Sequence, residues 1–358
     1  MQDELQQVDR TYVIWKNRRL SYFAGCDYFR IASHPAILRA VKQGLAQYGL
    51  NVAASRLTTG NHALYTRLEA ALADFFAAPT ALLVGNGYAT NLVAAQALRD
   101  DASHVLIDAR AHASLRDATC FFSCPVIDFK HRDASDLARQ LRGKSRPLIL
   151  TDGVFSHDGQ IAPLREYLKI LPARGKILLD DAHSAGILGA HGRGTPEYAG
   201  VSRRQIVQTV TLSKAFGVYG GAILCDAALR TRIIADSRMF AGNTPLPLPL
   251  ANGALASIDL LRRDESFRRR LANNVEYIKS VLRNTELAAP ETPAPIIPLI
   301  PRDARETKAL RKRLLSRGIF PSFIRYPGGP DTGYFRFVIS SEHSRRQLDS
   351  LLESLHDQ

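Results

Sequence analysis

The sequence predicts an α/β protein, with a mostly parallel sheet of seven strands, helices on both faces, and a smaller C-terminal α/β domain. Three observations predict it. From about residue 60 to 225, helical stretches alternate with short apolar strands, the pattern that builds parallel sheets. Several of these strands are β-branched and apolar throughout, as strands covered on both faces are. After about residue 245 the texture changes, and PLPLP interrupts the chain.

Taken in order, the first 40 or so residues hold one amphipathic helix near HPAILRAVKQGLAQY and are expected to pack against another part of the molecule. LYTRLEAALADFFAA places Leu64, Leu68, Leu72, Phe75 and Phe76 on one helical face. The candidate strands ALLVG, HVLID, PVIDF, PLILT, KILLD, QTVTL and GAIL follow. Beyond PLPLP come a helix with spaced Leu and Ile, then PIIPLI, a basic helix ending at Gly318, GIFPSFI and YFRFVIS. The last helix opens with a capping box, Ser344 and Gln347, and is expected to bury Leu348, Leu351, Leu352 and Leu355. These breaks divide the chain into an N-terminal segment 1–42, a large domain 43–245 and a small domain 246–358.

Composition narrows the function. The chain has 358 residues, 46% hydrophobic and 23% charged, a globular balance long enough for two cores. Its net charge of +13 is spread over HRDASDLARQLRGKSR, RRDESFRRR and RETKALRKRLLSR, which read as solvated helix faces. No aromatic residues interleave to stack bases, so nucleic acid is not expected, and attraction of an anionic cofactor or thioester fits better. MQDELQQVDR is polar, and no apolar run approaches the roughly 18 residues of a membrane span, so a cytoplasmic protein is expected. Cys26, Cys120, Cys124 and Cys225 form no CxxC pair, and Cys120 and Cys124 are expected to be buried thiols.

The stretch TLSKAFGVYGG sets Lys214 just after an apolar strand, so its amine emerges at a strand end, where open α/β sheets carry ligands. Upstream, KILLDDAHSAGILGAHGRG ends another strand in Asp180-Asp181, with His183 beyond. Three chemistries suit an acid, a histidine and a lysine at strand ends. Nucleotide hydrolysis needs GxxxxGK[ST]; RGKS at 142–145 lacks the first glycine, with Ala138 in its place, and Gly175-Lys176 is followed by Ile177. Metal binding by Asp180 and His183 alone has too few ligands. Pyridoxal phosphate (PLP) needs a lysine for its aldehyde, an acid against its pyridine nitrogen and donors for its phosphate. Lys214, Asp180 and the turn GNGYATN supply all three, with Gly87 and Tyr88 opening a helix whose free N–H groups suit a phosphate.

With GNGYATN, DARAHASL, TDGVFSHDG, DDAHSAGILGAHGRG and TLSKAFGVYGG together, the chain resembles the α-oxoamine synthase family of fold-type I PLP-dependent transferases, from near residue 25 to near 340. The resemblance implies that Lys214 is the Schiff-base lysine and that the Thr211 hydroxyl binds the phosphate. It implies that Asp180 pairs with the pyridine nitrogen and His183 with the ring's phenolic oxygen, that His112 stacks on the cofactor, and that Ser156 lies beside the phenolic oxygen. Arg336 in YFRF corresponds to the arginine that holds the substrate carboxylate, and Thr244 to a residue reaching the phosphate of the neighbouring subunit in a homodimer. Asp181 is expected to be structural. The implied reaction is decarboxylative condensation of a small amino acid with a CoA or carrier-protein thioester, giving an α-amino ketone. Another fold-type I reaction (transamination, aldol cleavage or decarboxylation) is the alternative. The chain departs from the family in NVAASRLTTGN, where a GSGGS-like stretch is usual, in Tyr65, where histidine is usual, and in Cys26, where asparagine is common.

Overall fold

The computed structural model describes residues 4–283, 285, 287, 289–325 and 329–356. The chain forms two compact units: His34–Phe155 with Ile161–Asp264, and Met1–Ser33 with Ser156–Gln160 and Glu265–Gln358.

The larger unit is built on seven strands: β1 (Thr80–Val84), β2 (His104–Asp108), β3 (Val126–Phe129), β4 (Pro147–Asp152), β5 (Lys176–Asp180), β6 (Ile206–Thr211) and β7 (Gly221–Cys225). Their spatial order is β1-β7-β6-β5-β4-β2-β3, and β7 alone runs against its neighbours. All seven coincide with the strands expected from the apolar runs. Side-chain alternation explains why those runs have no polar face. Val105, Ile107, Leu148, Leu150 and Leu178 pack into one core with Val93, Ala94 and Leu98, while Leu106, Ile149, Ile177 and Leu179 pack into the other with Leu164 and Tyr167.

Four helices of this unit position the site or its support. α1 (Pro35–Tyr48) starts with proline at its first position, and the His34 ring accepts the Ala36 N–H as a cap. α2 (Ala63–Phe75) buries Leu64, Leu68, Leu72 and Phe75, and Phe76 at its end is also buried. α3 (Gly87–Leu98) is capped by Asn86, whose side chain accepts the Ala89 N–H. α4 (Ala113–Ala118) is capped by His112. PLPLP opens the helix Leu248–Arg263, with Pro249 in the first turn, where a missing N–H costs nothing.

One expectation fails here. Cys120 is exposed and Cys124 half-buried, because they flank the outermost strand β3, whose residues Val126 and Asp128 are themselves exposed.

The smaller unit carries an antiparallel meander of Gln6–Asp9, Tyr12–Trp15 and Arg18–Ser21. A second antiparallel sheet has Tyr334–Val338 between Ile296–Leu299 and Phe323–Ile324. The capping box forms as expected: Ser344 N–H donates to Gln347 Oε1 at 3.0 Å, and Gln347 N–H donates to Ser344 Oγ at 3.3 Å. Leu348, Leu351, Leu352 and Leu355 are buried. No helix among the described residues is long and apolar enough to cross a membrane.

Candidate active site

The carboxyl ends of the parallel strands converge on a cavity of about 230 Å³ lined by Gly87, Tyr88, His112, Asp180, His183, Thr211 and Lys214, among others. Seven sequence-predicted residues from four segments thus share one space. The position follows from topology: every parallel strand points its last residue to this edge, and the loops that follow carry the polar groups.

Lys214 Nζ lies 2.9 Å from His183 Nε2, so the ammonium donates to the ring. Thr211 Oγ1 is 2.7 Å from Ser213 Oγ, which puts two hydroxyls side by side at the end of β6. Gly87 faces them. A Cβ there would sit 2.7 Å from Thr211 Cβ, so only glycine lets the start of α3 approach this strand. The Tyr88 hydroxyl donates to Asp117, and its ring meets the His112 ring edge-on at 6.1 Å.

The paired acids separate clearly. Asp180 lines the cavity, accepting Asn91 Nδ2 at 2.6 Å and Ala182 N–H at 3.1 Å. Asp181 is fully buried and accepts Thr195 Oγ1 (2.6 Å), Thr195 N–H (3.0 Å), Gln208 Nε2 (2.5 Å) and the Ser184 hydroxyl. Burial pushes the Asp181 carboxyl up against the pull of these hydrogen bonds.

Four residues beyond the predicted set belong to the site: Asn91, Ser114, Asp152 and Ser213. Asn91 is 0% exposed and spends its whole amide on the site. It donates to Asp180 and, at 2.8 Å, to Ser114 Oγ, while its carbonyl accepts Thr209 Oγ1 at 2.6 Å. Ser114 Oγ is 2.7 Å from His112 Nδ1, and the Ser114 N–H also donates to that nitrogen, which leaves the ring proton of neutral His112 on Nε2. Burial, followed by the nearby Lys214 charge, holds His112 below the usual histidine range against the pull of Asp180, so the ring is neutral at pH 7. Asp152 accepts the backbone N–H of His112 at 2.8 Å, and burial and the charge of Asp180 push its carboxyl well up. A signal for Asn91 was present, since it lies four residues after Gly87 and so on the same face of α3.

Three predicted residues lie elsewhere. Ser156 and Arg336 belong to the smaller unit and meet each other, Arg336 Nη1 donating to the Ser156 carbonyl at 3.1 Å. Thr244 is exposed in the loop before the helix Leu248–Arg263. The unusual Tyr65 is buried, and its hydroxyl donates to the Leu246 carbonyl at 2.6 Å. Arg56, from NVAASRLTTGN, stacks 5.3 Å from the Tyr65 ring and pairs with Glu69, so the departing residues brace one another.

Comparison with known proteins agrees with this geometry. Residues 28–355 match the family model for aminotransferase class I and II. The 8-amino-7-oxononanoate synthase of Thioalkalivibrio sulfidiphilus is 35% identical, covering 94% of this chain and 88% of that protein. The enzyme of the same name from Trichlorobacter lovleyi is 34% identical, covering 98% and 92%. Among solved structures, serine palmitoyltransferase from S. paucimobilis matches with a TM-score of 0.91 at 25% identity, covering 98% of this chain and 91% of that one. The 8-amino-7-oxononanoate synthase of Francisella tularensis matches with a TM-score of 0.83 at 26% identity, covering 94% and 96%. With a lysine, an acid and two adjacent hydroxyls at the strand ends, and with these relatives along nearly its whole length, the chain belongs to the α-oxoamine synthases, PLP-dependent enzymes of the aminotransferase class I and II family.

Proposed function

We propose that this enzyme condenses L-alanine with a pimeloyl thioester, releasing CO2 and free thiol to give an α-amino ketone, as an 8-amino-7-oxononanoate synthase would in biotin biosynthesis. The gathering of Lys214, Asp180, His183, His112 and Thr211 about one cavity carries the reading. The relatives at 34–35% identity support the choice of substrates.

The residues fit PLP. The Lys214 amine faces the space for an aldehyde, the Asp180 carboxylate faces that for a pyridinium, and Gly87 keeps side-chain atoms away from the hydroxyls of Thr211 and Ser213. In this assignment Thr211, Ser213 and the first N–H groups of α3 hold the phosphate. When bound, PLP supplies an electron-withdrawing ring that takes up the electron pair left at the amino acid's α-carbon.

The protein's groups do the rest. Lys214 would hold the cofactor through its amine and would serve as the base that takes the amino acid's α-proton. His183, 2.9 Å from Nζ, fixes the amine's position and is assigned to the ring's phenolic oxygen with Ser156. Asp180 keeps a negative charge against the ring nitrogen, and Asn91 aims it. Neutral His112 offers a flat face without adding positive charge. Arg336 presents a guanidinium for the substrate carboxylate. Thr244 is assigned to the partner subunit's phosphate in a homodimer.

The test is a substrate panel. L-alanine with pimeloyl thioesters of CoA and of a carrier protein should release thiol and CO2 in equal amounts, with an amino ketone product. Conversion of the cofactor to its amine form by an amino acid, with release of the matching keto acid and without thioester, and its return to the aldehyde form by a second keto acid, would make the enzyme an aminotransferase instead. An aldehyde released from a β-hydroxy amino acid would make it an aldolase.

A further inference from the structure

Two RGK tripeptides, Arg142-Gly143-Lys144 and Arg174-Gly175-Lys176, lead into the adjacent parallel strands β4 and β5. Neither takes part in the catalytic cavity. Leu148 of β4 pairs with Lys176 of β5, so parallel pairing brings both basic turns to the same edge of the sheet, the amino end. There the structure has its own cavity of about 310 Å³, lined by Arg146, Arg174, Lys176 and Asp101 over an apolar floor that includes Leu98 and Pro147.

The charges are arranged for an anion. Asp101 is already paired, accepting Lys176 Nζ at 3.0 Å and both Arg232 terminal nitrogens at 2.7 and 2.8 Å. It therefore pins two cations in place and offers no site for a metal. Arg146 and Arg174 are exposed, and neither guanidinium has a carboxylate partner among the described residues. Arg146, Arg174 and Lys176 thus line one cavity with a single carboxylate, which is paired to Lys176 and Arg232. Uncommitted guanidinium forks beside a lysine match the geometry of phosphate oxygens. The volume falls at the lower end of the roughly 300–1,000 Å³ typical of small-molecule sites, and inorganic phosphate alone would leave the apolar floor bare.

We propose that this cavity binds a phosphorylated small molecule of nucleotide size, with its phosphates on Arg146, Arg174 and Lys176 and its body on the apolar floor. It is separate from the cofactor's phosphate site: Lys176 and Asp180 are opposite ends of β5, about 13 Å apart at about 3.3 Å per residue. A ligand here would sit at the roots of the two strands whose other ends carry Asp152 and Asp180.

The experiment is calorimetric titration of the PLP-loaded protein with ATP, AMP and inorganic phosphate at low and high salt. ATP should bind saturably, more tightly than AMP, with inorganic phosphate weakest, and salt should weaken all three. The double variant Arg146→Ala/Arg174→Ala should lose at least about 10-fold in ATP affinity while keeping its melting temperature and basal activity. Arg142→Ala/Lys144→Ala, whose side chains do not line the cavity, should bind as the parent does. Absence of saturable binding, equal binding of ATP and inorganic phosphate, or unchanged affinity in Arg146→Ala/Arg174→Ala would overturn the proposal.

Discussion

Asp180 and Asp181 leave the end of one strand in opposite directions, and the two surroundings they enter differ in almost every respect. Asp181 meets donors on all sides, from Ser184, Thr195 and Gln208, and the space around it is closed. A Cβ at Gly194 would lie 1.8 Å from its Oδ2, and one at Gly153 2.0 Å from its Oδ1, so glycines make room for the carboxylate itself. Asp180 has one side-chain donor, Asn91, and otherwise looks into the cavity with Lys214 and His183. A buried acid whose partners are all protein groups holds the fold together; one whose surroundings open onto a cavity is arranged for a ligand. His343 in the smaller unit belongs to the first kind: its ring stacks on Phe23 at 4.1 Å, and both nitrogens have partners in Ser340 and Tyr22.

Lys214→Ala attacks the open side most directly. Loss of the general base costs about 10²–10⁴-fold in kcat, and loss of the covalent route adds to it. Its melting temperature should fall less than that of any Asp181 variant. Steady-state thiol release and a thermal melt on the same preparation check both halves.

The next test exchanges the two acids. Asp180→Asn should lose about 10–100-fold in activity, since a charge-assisted hydrogen bond is worth roughly 1.5–3 kcal/mol, with little change in stability. Asp181→Asn turns an acceptor into a donor facing donors and should cost roughly 3 kcal/mol of stability, seen by denaturant unfolding, while folded molecules keep most of their activity. Equal activity losses in the two variants would erase the distinction.

Asn91→Ala sharpens the comparison at smaller scale. It unties Asp180 from Ser114 and His112, and about a 10-fold fall in kcat is expected, with a shift in the absorbance of the bound cofactor that a purely structural role would not produce. An unchanged spectrum would reduce Asn91 to packing.

The last effect concerns the closed side and vanishes at neutral pH. Burial, then the charge of Arg30, depresses His343 to about 3. The unfolded chain protonates this histidine near its ordinary value of about 6.5, and the folded chain does not. Its contribution is therefore complete above pH 6.5 and is lost as pH falls toward 3, with a slope of about 1.4 kcal/mol per pH unit. His343→Phe should flatten the acid limb of a pH–stability curve.

Much of this arrangement was legible beforehand, for physical reasons. Six of the seven strands announce themselves because their residues are buried on both faces, so each reads as an apolar run bounded by polar turns, while β3 at the edge keeps Val126 and Asp128 exposed. Lys214, Asp180 and Thr211 stand at strand ends, where chain position fixes spatial position. Asn91, Ser114 and Asp152 lay inside quoted motifs without being singled out, because their role depends on which residue of another segment each one meets. Cys120 and Cys124 misled because FFS reads as core, whereas the neighbouring strand is an edge. Nothing along the chain marks the second basic cavity, since Arg146 and the Arg174-Gly175-Lys176 turn become neighbours only through the parallel pairing of β4 and β5.

The central claim is that the open strand-end cavity holds PLP on Lys214. Borohydride reduction of the PLP-loaded protein, followed by proteolysis and mass spectrometry, tests it most directly. The account predicts one reduced pyridoxyl adduct, on Lys214. An adduct on Lys176, at the opposite end of the sheet, or on no lysine at all, would contradict it.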